Sequence, residues 1–400
     1  MKLRYKYRIY PTSEQEQKMR SAGGAVRFLY NCFLRVNIDQ YAINQKFVWF
    51  KDTCSQLTKM KSQPEYEWLT ETHSQVLQQS LKDLDTALKN IKKTKAGFPN
   101  FKPKYTTPVK FRYPQGVKIS VDQKTVYLPC VGWVKIKLHR SLPNFKSCTI
   151  IQTPRGWYAS FVVDVQEQPL LQEVTSPVGV DVNSDFTAIS CGALIANPKP
   201  LKAKSKRMKS IQRELSRKKK GSNNRRKQKE KLARIHDQIR CQRLNHTHQL
   251  SSRIAKENDL VIVETLDIDK MKKNKLVAKV VADVSWAMFL GFLEYKTQLL
   301  GHHFVKINQW LPSSRTCSAC GVKKTNLTLS ERTFTCHSCS HIQHRDLNAA
   351  TNIRNWGHQQ WLIDHARQEL PQVPVDVVWD TLQNAGNESQ TQSKQEATAL

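Results

Sequence analysis

The sequence predicts a multidomain α+β protein, in which a β-barrel interrupted by a helical lobe precedes an α/β domain interrupted by a zinc-binding module. Three observations lead to this prediction. Strand-like patterns at residues 3–9 and 106–165 flank a stretch with helical periodicity. Two β-branched runs, 178–182 and 260–264, lie on either side of a long basic helical stretch. Two Cys-x-x-Cys pairs follow within residues 317–339.

The balance of charges predicts a polyanionic partner. Lysine and arginine together number 64 against 33 aspartates and glutamates, which gives a formal net charge of +31. Self-repulsion of this size is costly without counter-charge, so nucleic acid is the expected partner rather than a merely well-solvated surface.

The sequence predicts a soluble, cytoplasmic protein with no membrane partner. No run approaches the roughly 18 to 20 apolar residues that span a bilayer, and the first residues lack the apolar core of a signal peptide. Four of the ten cysteines form one compact metal pattern and the other six are scattered. This distribution favours reduced thiols over disulfides.

Residues 3–9 alternate strictly between apolar and basic side chains, which predicts a strand with one apolar and one cationic face. The cationic face consists of Arg4, Lys6 and Arg8. It fits two interpretations equally well: the solvated side of an edge strand, or a surface that meets a phosphate backbone.

Helical patterns fill most of the next ninety residues, so the first strand and the later strand block are expected to form one barrel-like unit around inserted helices. Ser13 is expected to cap the first helix, with Glu16 reaching back to complete a capping box. We expect breaks at Gly23-Gly24 and near Pro64. The clearest amphipathic face consists of Leu77, Leu81, Leu84, Leu88 and Ile91.

The region from residue 176 onward alternates strands with helices. Strands are expected at 178–182, 185–190, 260–264 and 304–308, with a helix near 285–301. 

Residues 202–257 form a very basic stretch whose charges interleave with apolar residues at helical spacing. This pattern favours a long helical pair with a side facing nucleic acid over a solvated arm. Residues 387–400 have little to bury and are expected to be disordered.

Cys317, Cys320, Cys336 and Cys339 form two Cys-x-x-Cys knuckles separated by fifteen residues. A redox dithiol would need only one such pair. The spacing therefore predicts a single tetrahedral Zn²⁺ with four thiolate ligands, which leaves no open position and gives the ion a structural role. The nearby histidines are not expected to be ligands.

Three carboxylates predict the chemistry of the second half. Asp181 lies in the first β-branched run, Glu264 ends the second, and Asp346 opens the final helix-like stretch. Alone, Asp181 also fits an ordinary turn aspartate. A glutamate at the end of a buried strand needs a partner, and a metal ion is a natural one.

Together the three carboxylates fit a ribonuclease H-like core. Two Mg²⁺ ions about 3.5–4 Å apart would offset their repulsion, activate a water and stabilise a leaving 3′-oxygen. No convincing Walker loop supports an ATPase, and no Ser/His/Asp or Cys/His pattern of a nucleophilic enzyme stands out.

Motifs along nearly the whole chain resemble the TnpB/OrfB family of insertion-sequence-encoded RNA-guided nucleases, which are RuvC-like and related to type V CRISPR effectors. Besides the three carboxylates and the two knuckles, the motifs are Arg8-Ile9-Tyr10-Pro11-Thr12, Arg27-Phe28-Leu29-Tyr30-Asn31, Gly97-Phe98-Pro99-Asn100-Phe101-Lys102, Arg345-Asp346-Leu347-Asn348-Ala349-Ala350-Thr351-Asn352-Ile353 and Lys394-Gln395-Glu396-Ala397.

The resemblance implies a division into domains that follows the predicted elements. It implies a wedge-type β-barrel at 1–12 and 104–175, an inserted helical recognition lobe at 13–103, a RuvC-like nuclease domain at 176–311 and 344–358 with a basic helical insertion at 202–257, a zinc ribbon or target-loading module at 312–343, and a C-terminal tail at 359–400.

The resemblance also implies Mg²⁺-dependent cleavage of double-stranded DNA under the direction of a guide RNA from the transposon end. Asp181, Glu264 and Asp346 match the catalytic acids of the family. Base pairing would read the target, while the protein reads a short flanking motif and backbone shape. A monomer is favoured.

Four positions depart from the usual family pattern: Asn183 for Gly, Thr265 for Asp, Ser340 for Gly and His344 for Asp. No triad carboxylate is lost, although His344 could alter the charge beside Asp346. Two alternatives stay open: a nuclease-inactive RNA-guided repressor, and an accessory transposition protein that binds DNA without a guide. A strand-joining transposase is less favoured, because helices inserted in a barrel suit a guide duplex better.

Overall fold

The computed structural model describes residues 1–94, 97–104, 108–274, 278–328 and 331–369. The expected disordered tail at 387–400 and the motif Lys394-Gln395-Glu396-Ala397 lie outside these residues. Across the described ranges, no helix combines the length and the apolar character needed to cross a bilayer.

The chain divides into two compact units, and each contains its own sheet. The first unit joins Met1–Glu167 to Pro200–Asn245, and the second joins Gln168–Lys199 to the chain from His246 onward.

The first unit contains one seven-stranded antiparallel sheet with the order β2-β6-β7-β1-β5-β4-β3. Its strands are β1 (Lys2–Tyr10), β2 (Lys110–Tyr113), β3 (Lys118–Ile119), β4 (Thr125–Leu128), β5 (Gly132–Lys137), β6 (Phe145–Thr153) and β7 (Gly156–Asp164). The sheet order leaves β2 and β3 as edges, so the described strands form an open half-barrel.

The predicted pairing of the first strand with the later strand block is confirmed. Strand β1 lies between β5 and β7 and is antiparallel to both. Its apolar face packs into the core through Tyr7 and Ile9, whereas Arg4 and Arg8 on the other face are exposed.

The helices between β1 and β2 pack around a second apolar core. They are α1 (Ser13–Asn44), α2 (Phe50–Lys61), a 3-10 helix (Pro64–Glu71) and α3 (Ser74–Thr94). The predicted face of α3 is confirmed, because Leu77, Leu81, Leu84 and Leu88 are all buried against residues of α1 such as Leu29.

Two local predictions about α1 are wrong. The helix is capped by Thr12 rather than Ser13, since the Thr12 side chain accepts from the Gln15 N–H and the Gln15 side chain accepts from the Thr12 N–H. The helix also continues through Gly23. An added Cβ there would lie 2.4 Å from a methyl group of Val109, so this glycine permits close packing instead of a break.

Helices α4 (Pro200–Arg217) and α5 (Asn223–Glu257) confirm the predicted basic helical pair. They pack through a small apolar cluster that includes Ile211, Ile235 and Ile239. This interleaved apolar stripe explains why so basic a stretch folds as packed helices.

The second unit contains a mixed five-stranded sheet with the order β10-β9-β8-β11-β12. Its strands are β8 (Pro177–Val182), β9 (Phe186–Ile189), β10 (Ala193–Ala196), β11 (Leu260–Glu264) and β12 (His303–Ile307). Strands β8, β9 and β10 are antiparallel, while β11 is parallel to both β8 and β12. Strands β8 and β11 are buried on both faces, as is typical of runs rich in β-branched residues.

Helices α6 (Ile268–Lys273), α7 (Ala278–Val284) and α8 (Trp286–Leu299) connect β11 to β12. A short hairpin of β13 (Thr333–Thr335) and β14 (Ile342–His344) then leads into α9 (Arg345–Glu369). Helix α9 continues past residue 358, and Trp361 packs on the core beside Ile353 and Ile307.

Candidate active site and metal centre

Asp181 and Glu264 lie at the ends of two neighbouring parallel strands. The paired register of β8 and β11 ends at Val180 and Val263, and the two carboxylate residues follow directly. Because parallel strands end at the same edge of a sheet, the two side chains are brought to one place. Asp181 is therefore on the central strand and Glu264 on its neighbour, as the sequence predicts.

Asp346 is the second residue of α9, and this helix packs directly on β8. The packing depends on Gly179, at which an added Cβ would lie 2.1 Å from the Ala350 carbonyl oxygen and 2.5 Å from the Arg354 nitrogen. The absence of a side chain at Gly179 thus allows the N-terminus of α9 to approach the strand that carries Asp181.

The charges of Glu264 and Asp346 act on Asp181. Burial, together with the negative charges of Glu264 and Asp346, raises the pKa of Asp181 to about 7. The Asn183 amide donates to Asp181 Oδ2 at 3.4 Å and opposes this rise. Burial also raises the pKa of Glu264, and a hydrogen bond from Ser313 opposes it.

Asp346 is 3% exposed, and its Oδ2 has no hydrogen-bond partner among the described residues. Arg332 Nη1 and His344 Nδ1 both lie 3.9 Å from this oxygen, and Arg345 Nε lies 3.4 Å from Oδ1. The His344 ring also accepts a hydrogen bond from the Asp346 N–H at 3.2 Å. Two guanidinium groups therefore lie beside a buried carboxylate, one oxygen of which accepts no hydrogen bond from the described residues.

These residues fit the ligand chemistry of Mg²⁺, which prefers carboxylate oxygens. A buried oxygen without a partner and three mutually repelling carboxylates are both stabilised by a cation at this place. Among the described residues, the four cysteines are the set that brings three or more possible ligand atoms within 4.8 Å of one another, so the three carboxylates are less closely grouped than those thiols.

Sequence reasoning missed a set of hydrogen bonds that holds Glu264 in place. The Ser313 hydroxyl donates to Glu264 Oε1 at 2.5 Å, and the buried Asn352 amide donates to the Ser313 carbonyl at 2.8 Å and to the Thr316 carbonyl at 2.6 Å. Asn348 donates to the Thr316 carbonyl at 2.7 Å. Both asparagines are buried on α9, and their spacing of four residues does not reveal these partners in the sequence.

The four predicted zinc ligands come together. Cys317, Cys320, Cys336 and Cys339 place their sulfur atoms within 4.8 Å of one another, with separations of 3.7 Å between Cys317 and Cys339 and 3.5 Å between Cys320 and Cys336. Tetrahedral ligation at a Zn–S distance of about 2.3 Å requires sulfur atoms about 3.8 Å apart. The cluster could therefore hold a zinc ion with little rearrangement.

Backbone geometry supports the thiolate form of Cys336 in the second knuckle, whereas hydrogen bonds with the Cys336 and Cys317 side chains raise the pKa of its partner Cys339. The N–H groups of Cys339 and Ser338 lower the pKa of Cys336 to about 6. Each knuckle turns back through a residue with positive φ, namely Gly321 at 75° and Ser340 at 56°. The residue after the last cysteine is thus a serine in a conformation that favours glycine.

Three family models match the chain. The model described as a probable transposase of the OrfB_IS605 type matches residues 160–275, and the Cas12f1-like TNB domain matches 286–353. A model described as a helix-turn-helix domain matches residues 1–46, where the structure has strand β1 followed by the single helix α1.

The chain is also similar to curated proteins along most of its length. It is 32% identical to a putative RNA-guided DNA endonuclease of Streptomyces pristinaespiralis over 88% of this chain and 89% of that protein. It is 30% identical to the putative RNA-guided DNA endonuclease InsQ of Escherichia coli strain K12, over 88% and 92% of the two chains.

Among solved structures, a Cas12f1–sgRNA–target DNA complex aligns with 18% identity and a TM-score of 0.35, over 89% of this chain and 99% of that one. The sequence similarity to the curated relatives, at 30% identity or more over nearly their full length, identifies the family. The chain belongs to the TnpB/OrfB family of insertion-sequence-encoded RNA-guided nucleases.

Proposed function

We propose that this protein is an RNA-guided DNA endonuclease that hydrolyses phosphodiesters in a RuvC-like site with Mg²⁺ held by Asp181, Glu264 and Asp346. One observation carries the proposal: Asp181 and Glu264 lie at one edge of the second sheet, and Asp346 lies on the helix packed against it. Burial, together with the negative charges of Glu264 and Asp346, raises the pKa of Asp181 to about 7. Negative charge concentrated in this way calls for divalent cations, and the names of the two similar curated proteins support the same activity.

Bound Mg²⁺ would activate a water and stabilise the leaving 3′-oxygen. The surrounding residues hold the ligands in position. Asn183 donates to Asp181, Ser313 donates to Glu264, and the packing of α9 on Gly179 orients Asp346. The free Oδ2 of Asp346 is available as a ligand.

Two arginines beside Asp346 would reduce the repulsion that an incoming phosphodiester meets. Arg332 and Arg345 both lie within 4 Å of its carboxylate oxygens. Guanidinium groups suit this role because their planar set of N–H donors matches the oxygens of a phosphate.

The zinc ion has a structural role in this proposal. Four thiolates leave no open ligand position. The segment that enters the first knuckle includes Ser313 and Thr316, and both are hydrogen-bonded by Asn352 of α9. Zinc ligation would thus help to fix the segment that positions Glu264.

The proposed partners are a guide RNA from the transposon end and a double-stranded DNA target. The net charge of +31 supports extensive contact with phosphates, and we assign this contact to the half-barrel, its helical lobe and the α4–α5 pair. Guide pairing would read the target sequence, with the protein reading a short flanking motif.

The test uses protein co-expressed with RNA from the end of its own element, matched duplex DNA and Mg²⁺. The Glu264→Gln variant removes one proposed ligand at nearly constant shape. Glu257→Gln is the matched control, since Glu257 is exposed and pairs only with Arg253 among the ion pairs within the described residues.

Cleavage that requires the RNA, the matching target and Glu264 supports the proposal. RNA-dependent binding without cleavage would instead indicate a guided repressor. Binding or cleavage that is indifferent to RNA would exclude the guided function and leave a transposition protein that binds DNA directly.

A further inference from the structure

A cavity of about 340 Å³ lies in the first unit, among helices α1 and α3 and strands β1, β2 and β6. Five basic side chains and one acidic side chain line it: Arg4, Arg27, Lys102, Lys110, Arg112 and Asp83. It contains none of the three carboxylates and none of the four cysteines of the site described above.

The positive charge of this cavity is mostly uncompensated. Arg112 pairs with Asp83 at 3.2 Å. None of the ion pairs formed within the described residues involves Arg4, Arg27, Lys102 or Lys110. Like charges that converge around one space without counter-ions indicate a site for an anion.

Lys102 is held in this cavity by its backbone. The Asn31 amide donates to the Lys102 carbonyl at 2.9 Å, and Asn31 Oδ1 accepts from the Lys102 N–H at 2.8 Å. The Lys102 ammonium lies 3.3 Å from the centre of the Tyr30 ring. Burial lowers the pKa of Lys102, so an anion beside it would be bound more tightly than at a fully hydrated lysine.

The walls of the cavity are also preorganised. Gly23 of α1 packs closely on Val109, and the Ser80 hydroxyl of α3 donates to the Val26 carbonyl at 2.7 Å. The two helices and the strand edge are therefore joined around the basic side chains. Two motifs of the sequence analysis, at residues 27–31 and 97–102, contribute Arg27, Asn31 and Lys102 to this arrangement.

We propose that this cavity binds a backbone phosphate of nucleic acid, with Lys102 and Arg27 as its principal ligands. The proposal rests on the nucleic-acid function proposed above and adds a specific contact to it. The phosphodiester is the shared chemistry of guide RNA and target DNA, and forked guanidinium groups beside an ammonium suit its oxygens.

The experiment measures the affinity of full-length Lys102→Gln for two labelled probes, a single-stranded RNA and a duplex DNA, over a range of salt concentrations without Mg²⁺. Loss of one phosphate contact should lower the slope of log K against log salt by about 0.7 for the RNA or about 0.9 for the DNA. A changed slope for RNA alone assigns the phosphate to the guide, and one for DNA alone assigns it to the target.

Lys46→Gln is the matched control, because Lys46 is exposed and does not line the cavity. Lys102→Arg keeps the charge and should bind like the wild type. If Lys102→Gln changes the melting temperature, Arg27→Gln tests the same site. Slopes equal to the wild type for both probes, or an equal loss in Lys46→Gln, would overturn the proposal. Cleavage is not measured, so an inactive nuclease would leave this result intact.

Discussion

The Ser313 hydroxyl donates a hydrogen bond of 2.5 Å to Oε1 of Glu264, across 49 residues of sequence. Ser313 is buried, and its own carbonyl accepts from Asn352 of α9. The helix that carries Asp346 thus also anchors the serine that orients Glu264. Two of the three proposed metal ligands are therefore positioned by one helix.

We predict that Ser313→Ala slows cleavage about tenfold, which corresponds to about 1.4 kcal/mol, close to the lower end of the range of about 1.5–3 kcal/mol for a hydrogen bond to a charged group. The serine stabilises the ionised carboxylate, so its removal should raise the pKa of Glu264 further. The acidic limb of the pH–rate profile should then move to higher pH. Ser314→Ala is the neighbouring control, and an unchanged profile in Ser313→Ala would contradict the positioning role.

The raised pKa of Asp181 predicts a pH-dependent stability in the absence of Mg²⁺. Its pKa is about 7 in the folded protein and about 3.9 in an unfolded chain. Between these values the folded state holds a proton that the unfolded state has released. The free energy of unfolding therefore falls as the pH rises from about 4 through about 7.

Asp181→Asn removes this titration. The melting temperature of the variant minus that of the wild type should therefore increase as the pH rises from about 4 through about 7. Melting temperatures of both proteins in Mg²⁺-free buffer would measure the difference. Asp52→Asn, at an exposed position on α2, is the matched control. A constant difference for Asp181→Asn would show that the carboxylates do not interact as described.

The spacing of apolar residues predicted helices and strands correctly where one buried face runs along the element. The alternation of β1, the leucine face of α3 and the β-branched runs of β8 and β11 all depend on neighbours within a few residues. The paired strands then brought Asp181 and Glu264 together, because parallel strands end at one edge.

The sequence-based predictions failed, or were missing, where residues far apart in the sequence determine the local structure. Helix α1 passes through Gly23 because Val109, far along the chain, packs on it. Ser313 and Asn352 position Glu264 through hydrogen bonds that span 39 and 49 residues. No periodicity or spacing in a single sequence reports such pairings, since each depends on how complete elements pack.

His344 occupies the capping position before α9, where the family more often has aspartate. Its ring accepts from the Asp346 N–H, and an aspartate can accept the same hydrogen bond. We predict that His344→Asp keeps the helix and adds a carboxylate beside Asp346, so that half-maximal cleavage needs a several-fold lower Mg²⁺ concentration. His344→Asn supplies the acceptor without the charge and should resemble the wild type. An unchanged Mg²⁺ requirement in His344→Asp would argue against the electrostatic effect.

Ser340 follows the last zinc ligand with a φ of 56°, and Gly321 holds the matching place in the first knuckle with a φ of 75°. A side chain in this conformation costs about 1–2 kcal/mol, part of which is offset by the greater freedom of glycine in the unfolded chain. Ser340→Gly should therefore stabilise the knuckle by about 0.5–1 kcal/mol and slow zinc loss to a chelator. Gly321→Ala should destabilise the knuckle and speed zinc loss through backbone conformation alone, since no atom of the described residues lies within 4 Å of an added Cβ. Faster zinc loss from Ser340→Gly would refute this account.

Gly179 controls the distance between the strand of Asp181 and the helix of Asp346. An added methyl group would lie 2.1 Å from the Ala350 carbonyl oxygen and 2.5 Å from the Arg354 nitrogen, and these backbone atoms can move only if the whole helix moves. We predict that Gly179→Ala destabilises the protein by about 3 kcal/mol or more, as overpacking against backbone does. It should also abolish cleavage at temperatures where the protein remains folded, because α9 must shift away from β8.

The control for this prediction is Gly291→Ala in α8, an exposed helical glycine with no atom within 4 Å of an added Cβ. Alanine there should stabilise the helix by about 1 kcal/mol and leave cleavage unchanged. Thermal unfolding and cleavage rates of the two variants would be measured together. If Gly179→Ala cleaved at the wild-type rate, the close contact between α9 and β8 could not be what holds Asp346 beside Asp181.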